Sequence, residues 1–273
     1  MNILITGATG YIGSKLAKKL LEEDKTLTLY LLTHKRSLSD NELLSDRVVL
    51  VNSEDMYKHK YDFIYHIGAL KNTKSLDTDY LKDLIDSNLK LSIDLLLFAR
   101  DTDTPIVLIS SFSQYVDKDP YCFTKSSVEE FAKLINFDKY TFVRFTDIYG
   151  EDDPRPKIFN LFQKAVDNKE SFVFQSPASK PMNFTHIDDI TDALIYLMSM
   201  EDRPQIVDLI YKENLTTLGE MAKQIDPNLE YAIFPTAESK EEYLVPTDNY
   251  RLKGFRPRYK VRFDKRGRQQ CQR

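Results

Sequence analysis

Short apolar runs alternate with longer segments of helical periodicity along the first part of the chain. The runs are rich in β-branched and other apolar side chains and have the length of buried strands. We expect strands at Asn2–Ile5, Leu27–Thr33, Val48–Val51, Phe63–Ile67, Ile106–Ile109 and Thr141–Phe145. Apolar positions three and four residues apart predict helices through Leu16 to Leu21, from Tyr80 to Arg100 and from Pro120 to Ile135.

Apolar strands separated by helices predict a parallel sheet that is covered on both faces. After Gly150 the pattern loosens, and we expect a helix, short strands, a helix at Ile187–Met198, a strand at Ile206–Ile210 and a helix at Leu218–Ile225. The predicted fold class is therefore α/β, with a Rossmann-type doubly wound parallel sheet in residues 1–150. A smaller α/β lobe in residues 151–255 is expected to bind substrate over the carboxyl ends of the strands.

Three glycines, Gly7, Gly10 and Gly13, follow directly on the first predicted strand, although the chain has only 8 glycines in 273 residues. Between a strand and a helix, such glycines permit a tight turn, let a phosphate approach the backbone and let the helix pack closely. The free N–H groups of the helix start then face the phosphates. We expect a dinucleotide here; the alternative is a structural turn without ligand. The assigned cofactor residues of the turn are Gly7, Thr9, Gly10, Tyr11, Ile12 and Gly13.

Composition and charge argue against several classes of protein. The net charge of −4 gives no general attraction to nucleic acid or to an anionic membrane. Cys122 and Cys271 are the only cysteines, which makes a disulfide framework implausible, and no metal-ligand spacing occurs. No apolar stretch is long enough to span a bilayer, and we expect a cytoplasmic enzyme without a signal or transit peptide. Residues 256–273 hold eight Lys or Arg and are expected to form a solvated or frayed basic tail.

Candidate catalytic groups follow the strand at Ile106–Ile109. Ser110 and Ser111 come directly after it, and Tyr121 and Lys125 lie four residues apart on the next predicted helix. Residues four apart share one helix face, so the tyrosine and the lysine are expected to project together. A neighbouring ammonium group should lower the pKa of the phenol and make Tyr121 an acid or base near neutral pH. Ser111 could hydrogen-bond the reacting oxygen of a substrate.

With these motifs the chain resembles the extended short-chain dehydrogenase/reductases, the family of UDP-galactose 4-epimerase and of nucleotide-sugar dehydratases and reductases. The resemblance covers about residues 1–255. Besides the glycines and the Tyr121/Lys125 pair, it rests on the segments His66–Lys71, Asn88, Arg144–Gly150 and Asn183–Asp189. It implies a nicotinamide dinucleotide as cofactor and Ser111, Tyr121 and Lys125 as catalytic residues.

The end of the second predicted strand bears on the choice of cofactor. NAD enzymes usually place a carboxylate there for the ribose 2′-hydroxyl, whereas this chain has His34, Lys35 and Arg36. Two cations suit a 2′-phosphate, so we expect NADP rather than NAD. In the alternatives, Lys35 and Arg36 only decorate a loop, or Glu54 takes the acidic role. The resemblance implies further cofactor contacts at Asp55, Met56, Ile67, Gly68, Ala69, Lys71, Ser110, Tyr121 and Lys125.

The positions expected to contact substrate match the family pattern less well than those expected to contact the cofactor. Asp147 stands where the family has a substrate-contacting asparagine, and Met182 stands where it often has an arginine, for which Lys180 could substitute. Phe112 and Ser113 replace the acidic pair that dehydratases use beside Ser111, so dehydration is the least favoured reaction. The residues assigned to substrate binding are Asn72, Ser111, Phe112, Asp147, Lys180 and Asn183.

Together these features predict an NADP-dependent oxidoreductase that reduces a 4-keto group of a nucleotide-activated sugar, with Tyr121 as proton donor. Two alternatives remain: a nucleotide-sugar 4-epimerase that retains its NAD(P), and a sensor or partner-binding protein that binds NADP without turnover. We expect a homodimer formed through the helices at Tyr80–Arg100 and Pro120–Ile135, no nucleic-acid or membrane partner, and no metal.

Overall fold

The computed structural model describes residues 1–32, 43, 45–71, 76–115, 118–155, 157–236 and 250–260. The strands are β1 (Asn2–Thr6), β2 (Thr28–Leu32), β3 (Val48–Val51), β4 (Phe63–His66), β5 (Ile106–Ile109), β6 (Tyr140–Arg144), β7 (Asp147–Tyr149), β8 (Phe172–Val173), β9 (Pro181–His186), β10 (Ile206–Asp208), β11 (Leu215–Thr217) and β12 (Ala232–Ile233). The α-helices are α1 (Tyr11–Glu23), α2 (Thr78–Leu84), α3 (Leu91–Asp101), α4 (Pro120–Ala132), α5 (Ile158–Asn168), α6 (Ile187–Ser199) and α7 (Leu218–Ile225).

Seven strands form one parallel sheet in the order β3-β2-β1-β4-β5-β6-β10. This confirms the predicted α/β class and the Rossmann-type sheet. The strand order reverses between β1 and β4, whose residues Ile3 and Phe63 are paired. In open α/β sheets ligands bind at such a reversal, outside the carboxyl ends of the strands. A ligand site is therefore expected among the residues that follow β1, β4 and β5.

The core of this sheet accounts for the apolar side chains of its central strands. Leu4, Ile64 and Leu108 on neighbouring strands are at most 1% exposed and pack with Leu95 of α3 and Val128 of α4. Burial of each such side chain contributes about 1.5–3 kcal/mol to folding. The packing holds α4, which carries the predicted catalytic pair, against the sheet.

The described chain divides into two units, each built from more than one segment. The first contains Met1–Phe145, Ile190–Leu209 and residues 250–255; the second contains Thr146–Asp189 and residues 210–236 and 256–260. The division differs from the predicted boundary at residue 150, because β10 returns to pair in parallel with β6. An edge strand in the large sheet thus comes from the later part of the sequence.

The second unit has its own aromatic core and two small sheets. Strand β9 lies between β7, which is parallel to it, and β11, which is antiparallel, while β8 pairs with β12. Helices α5 and α7 contribute to the core. Its buried members are Tyr149, Phe159, Phe162, Phe174, Phe184, Leu218, Met221, Ala222 and Ile225.

The helix predicted from Tyr80 to Arg100 is interrupted. Between α2 and α3 the chain forms a π-helical segment, Ile85–Lys90, which buries the side chain of Asn88. The amide of Asn88 accepts a hydrogen bond from the N–H of Leu70 (2.7 Å) and donates one to its carbonyl oxygen (2.8 Å). Single π turns of this kind often occur at functional sites, and this one fixes the backbone that follows β4.

The first residues of the predicted basic tail are packed within the second unit, which corrects the expectation of a frayed end for this part. The Asp189 carboxylate accepts hydrogen bonds from the backbone N–H groups of Arg258 (2.8 Å) and Tyr259 (3.2 Å). The ring of Tyr259 stacks on His186 with 3.9 Å between centroids. Residues 261–273 lie outside the described residues. No helix in the described ranges is long and apolar enough to cross a bilayer.

Candidate active site

The glycine turn between β1 and α1 has the geometry that a bound pyrophosphate requires. Gly7 has φ +74°, and a Cβ there would lie 2.5 Å from the Cα of Gly68. A Cβ on Gly13 would overlap the carbonyl oxygen of Gly7. Helix α1 starts after Gly10 and, in this fully described stretch, has neither a side-chain cap nor an acidic residue in its first turn. Its N-terminal dipole is therefore not offset by a local negative charge, and the turn fits an anionic dinucleotide.

A buried hydrogen-bond chain joins the ends of β1 and β4 beside this turn. His66 Nδ1 lies 2.6 Å from Thr6 Oγ1, and His66 Nε2 lies 2.8 Å from Ser92 Oγ. Burial, together with the positive charge of Lys125, lowers the pKa of His66 to about 3. The imidazole is therefore neutral and acts as a structural link. The described residues contain no group of three or more His, Cys, Asp or Glu side chains that could hold a metal ion.

The start of α4 brings the predicted catalytic residues together. Asp119 caps the helix by accepting a hydrogen bond from the Cys122 N–H (2.7 Å), which places Tyr121 and Lys125 in its first two turns. The buried Lys125 ammonium donates to the carbonyl oxygen of Ile109 (2.8 Å) and lies 5.9 Å from the Tyr121 ring centroid. The interaction crosses from α4 to the end of β5.

Ser111 belongs to the same cluster. It is 5% exposed, follows β5, and its hydroxyl group accepts a hydrogen bond from the Ser113 N–H (3.3 Å). The hydroxyl also interacts with the phenol of Tyr121, where it favours the ionised form. Ser111, Tyr121 and Lys125 thus lie close together at the end of β5 and the start of α4.

The pKa of Tyr121 in this cluster differs from the expectation. Burial raises the pKa of the Tyr121 phenol well above its usual range, although the Ser111 hydroxyl group acts in the opposite direction. Burial also lowers the pKa of Lys125 to about 8, against the attraction of Glu129. The expected lowering of the Tyr121 pKa towards neutrality is not found, because desolvation of the phenolate is the largest influence on this phenol.

A second ammonium group lies closer to Tyr121 than that of Lys125 does. Lys71, which follows β4, places its Nζ 4.8 Å from the centroid of the Tyr121 ring. A cation at this distance from an aromatic face is attracted to it. The family resemblance implies only a cofactor contact for Lys71, whereas in the structure its ammonium group lies over the ring of Tyr121.

The other residues assigned to the cofactor differ in their exposure and in their contacts. Ser110 is buried beside Ser111, and Ile67 is buried at the end of β4, whereas Ala69 is exposed. The Asp55 carboxylate is held by Asn52 (2.7 Å) and Lys58 (2.7 Å), and Met56 packs in the core. Thr9, Tyr11 and Ile12 are half-buried in the glycine turn and the start of α1. His34, Lys35, Arg36 and Asn72 lie outside the described residues.

The residues assigned to substrate belong to both units. Phe112 is buried in the first unit, with its ring centroid 5.3 Å from that of Tyr115. In the second unit, Asp147 lies at the start of β7, and its Oδ1 is 3.7 Å from Lys157 Nζ. This pairing, which could not be predicted from the sequence, offsets the negative charge that Asp147 has in place of an asparagine.

The remaining two substrate assignments lie on or beside β9. Asn183 is 1% exposed and donates to the carbonyl oxygen of Tyr211 (2.9 Å), and its own carbonyl accepts from the Thr146 hydroxyl (2.7 Å). Lys180 is half-buried just before β9. Asn183 is thus anchored by its neighbours within the second unit.

Comparison with known proteins identifies the family. The profile of the NAD dependent epimerase/dehydratase family matches residues 3–209, more than half of the chain. The chain belongs to this family. The match confirms the resemblance to the extended short-chain dehydrogenase/reductases, and this family member is an NAD(P)-dependent enzyme.

Among curated proteins, the chain is 25% identical to CDP-abequose synthase of Yersinia pseudotuberculosis over 225 residues, 74% of this chain and 75% of the relative. It is 25% identical to Protein CapI of Staphylococcus aureus over 239 residues, 75% of this chain and 71% of the relative. Among solved structures, UDP-N-acetylglucosamine 4-epimerase from Methanobrevibacter ruminantium superposes with a TM-score of 0.74 at 19% identity, covering 94% and 92% of the two chains. A UDP-glucuronic acid 4-epimerase variant from Bacillus cereus gives 0.74 at 19% identity and 88% coverage of each chain. These structures share the fold of this family member.

Proposed function

We propose that this chain is an NADP-dependent oxidoreductase that reduces a 4-keto group of a nucleotide-activated sugar. The observation that carries the proposal is the cluster of Ser111, Tyr121 and Lys125, which lies in the same unit as the glycine turn. The names of similar proteins, which include CDP-abequose synthase and UDP-sugar epimerases, support a nucleotide-linked sugar as substrate.

Reduction of a ketone requires a hydride at carbon and a proton at oxygen, and the bound reduced nicotinamide supplies the hydride. Tyr121 donates the proton, and its raised pKa keeps the phenol protonated at neutral pH. The Ser111 hydroxyl orients the substrate oxygen beside the phenol. Lys125 is anchored on the carbonyl oxygen of Ile109 and presents its remaining N–H donors to the ribose next to the nicotinamide, as the family resemblance implies.

The preference for NADP over NAD rests on the residues that follow β2. Lys35 and Arg36 offer two cations and no acid, which suits a 2′-phosphate. We expect NADPH to bind more tightly than NADH, and the Lys35→Ala/Arg36→Ala variant to lose the difference. Lys139→Ala, which removes an exposed lysine paired with Asp103 in the first unit, is the control. Equal affinities for the two dinucleotides, unchanged in the double variant, would contradict the preference.

The reaction itself is tested with a panel of nucleotide-linked 4-keto sugars and NADPH, followed by the loss of nicotinamide absorbance. We expect turnover with at least one sugar and a decrease of about 100-fold or more in Tyr121→Phe, because the proton donor is removed. Tyr57→Phe, which changes a tyrosine packed against Phe98, should leave the rate unchanged. Turnover that survives Tyr121→Phe would overturn the mechanism.

Two other results would assign a different function. Interconversion of 4-epimers without net consumption of NADPH would make the protein an epimerase. Tight NADPH binding with no turnover on any sugar would favour a protein that binds the dinucleotide without catalysis. Sugar analysis by nuclear magnetic resonance, run beside the absorbance assay, separates these two results from the proposed reduction.

A further inference from the structure

One buried carboxylate, that of Glu129, binds three separate parts of the first unit. Its Oε1 accepts hydrogen bonds from Ser110 Oγ (2.5 Å), Gln114 Nε2 (2.9 Å) and Arg144 Nε (3.0 Å). Its Oε2 pairs with Nη2 of Arg144. These donors lie just after β5, in the 3₁₀ turn Phe112–Tyr115 and at the end of β6.

Glu129 also completes a regular set of links between α4 and the end of β5. Lys125 binds the carbonyl oxygen of Ile109 (2.8 Å), and Glu129, one turn later, binds the hydroxyl of Ser110 (2.5 Å). The next residue along the chain is Ser111, whose hydroxyl interacts with Tyr121. Ile109 at the end of β5 and the two serines that follow it thus each contact a side chain on one face of α4.

We propose that Glu129 is a positioning residue for the reaction: it sets the distance between Ser111 and the Tyr121–Lys125 pair by holding Ser110 and Arg144 against α4. Glu129 itself does not touch the reacting atoms. This inference rests on the proposed function, because the geometry it maintains matters only if those three residues are catalytic. Misplacement of catalytic groups by about 1 Å can cost about 100-fold in rate.

The burial of the cluster makes the carboxylate costly to replace. Glu129 is 4% and Arg144 is 3% exposed. The Arg144 guanidinium carbon lies 4.9 Å and 5.6 Å from the ring centroids of Tyr115 and Tyr250. Asp208 is the other carboxylate near Arg144, but its Oδ1 is 3.7 Å from Nη1, and neither atom has a hydrogen-bond partner among the described residues. Glu129 therefore supplies the close, bidentate partner of the arginine.

The charge of Glu129 acts on Lys125 as well. The titratable groups that face Lys125 are Tyr121 and Glu129 on α4 and His66 on β4. His66 is neutral and the phenol is protonated, so the negative charge in this set is that of Glu129. It raises the pKa of Lys125 against the effect of burial. Loss of this charge should lower the pKa of Lys125 further, which a purely structural role would not do.

The test compares Glu129→Gln, Glu129→Asp and the control Glu130→Gln. Glu130 is the neighbouring residue, exposed and paired with Lys133 (2.6 Å), so its variant should behave as wild type. We measure kcat and kcat/KM from pH 6 to 9.5, the pH dependence of NADPH affinity by fluorescence, and thermal stability. Glu129→Gln should lower kcat about 10- to 100-fold and move the alkaline limb of both pH profiles to lower pH by about 1 unit. Glu129→Asp should lower kcat while the alkaline limb stays in place, because the charge is retained.

Wild-type kcat and pH profiles in Glu129→Gln, with lower thermal stability only, would overturn the proposal. If Glu129→Gln does not fold, Ser110→Ala removes a single donor to the carboxylate; it should lower kcat several-fold with little change in thermal stability, and wild-type kcat would again overturn the proposal. Tyr121→Phe distinguishes failure of the proposed function from failure of the positioning role of Glu129. If Tyr121→Phe retains turnover, the proposed function fails; if it abolishes turnover while Glu129→Gln is normal, only the positioning role fails.

Discussion

Asp208 offers a direct test of the electrostatics of the first unit, through the pH dependence of folding. This aspartate ends β10, is 2% exposed and has Arg144 as a distant partner, with 3.7 Å between Oδ1 and Nη1. Burial, together with the negative charge of Glu129, raises the pKa of its carboxyl group to about 6, although Arg144 favours the charged form. The perturbation is Asp208→Asn, which removes the titration and keeps the shape.

The magnitude follows from the linkage between protonation and folding. A rise from 3.8 to about 6 in the pKa of Asp208 corresponds to on the order of 3 kcal/mol, because each pKa unit is worth about 1.4 kcal/mol. The folded chain holds the proton more tightly than the unfolded chain. The stability that this group contributes is therefore fully present below the unfolded pKa and is lost as the pH rises through the folded pKa. About 2 kcal/mol of the loss should fall between about pH 4.5 and pH 7.

The assay is urea unfolding of wild type and Asp208→Asn at several pH values, with the free energy of unfolding taken from each curve. The wild-type value minus the Asp208→Asn value should decrease by about 2 kcal/mol from about pH 4.5 to pH 7. Asp202→Asn, which changes an exposed aspartate shortly before β10, is the matched control and should follow wild type at every pH. A constant difference between wild type and Asp208→Asn across this range would refute the reasoning.

Three further changes test other parts of the first unit. Gly13→Ala should abolish dinucleotide binding, measured by NADPH fluorescence, and lower the free energy of unfolding by about 1–3 kcal/mol, because the new Cβ overlaps Gly7. Lys71→Met should lower kcat about two- to fivefold and leave thermal stability unchanged, since it removes a cation from the face of Tyr121; equal kcat in both proteins would contradict a role for this lysine. Asn88→Ala should cost about 1–3 kcal/mol in urea unfolding, because both backbone groups of Leu70 lose their partner.

The sheet could be predicted from the sequence because a strand buried on both faces must be apolar along its whole length. The apolar runs predicted strands at all seven positions of the sheet, including the one at Ile206–Asp208 and the edge strand β3, in which Leu50 is 50% exposed. The same apolar periodicity could not reveal the π-helical segment at Ile85–Lys90. Within this segment Asn88 makes a tertiary contact, a pair of hydrogen bonds with the backbone of Leu70, 18 residues earlier in the chain.

The candidate site could be predicted only where its geometry is local. Tyr121 and Lys125 share a face because they are four residues apart on one helix, and Glu129 continues that face by four more, a signal that was available and missed. The approach of Lys71 to Tyr121 and that of Arg144 to Glu129 depend on how the strands pack beside α4. The pKa shifts of Tyr121 and Lys125 could not be predicted either, because sequence spacing reveals neighbouring charges but not the loss of solvent around them.

The two pKa shifts at the site define the protonation states that the proposed reduction would use. Burial raises the pKa of Tyr121 and lowers that of Lys125 to about 8, so at neutral pH the phenol keeps its proton while the lysine is still charged. A protonated tyrosine is ready to donate to a substrate oxygen that gains negative charge during reduction, whereas oxidation of an alcohol needs a base at the same place. An epimerase must use the tyrosine in both roles. Tyr121 therefore holds at neutral pH the proton that the proposed reduction requires, and the assay for 4-epimers decides between reduction and epimerisation.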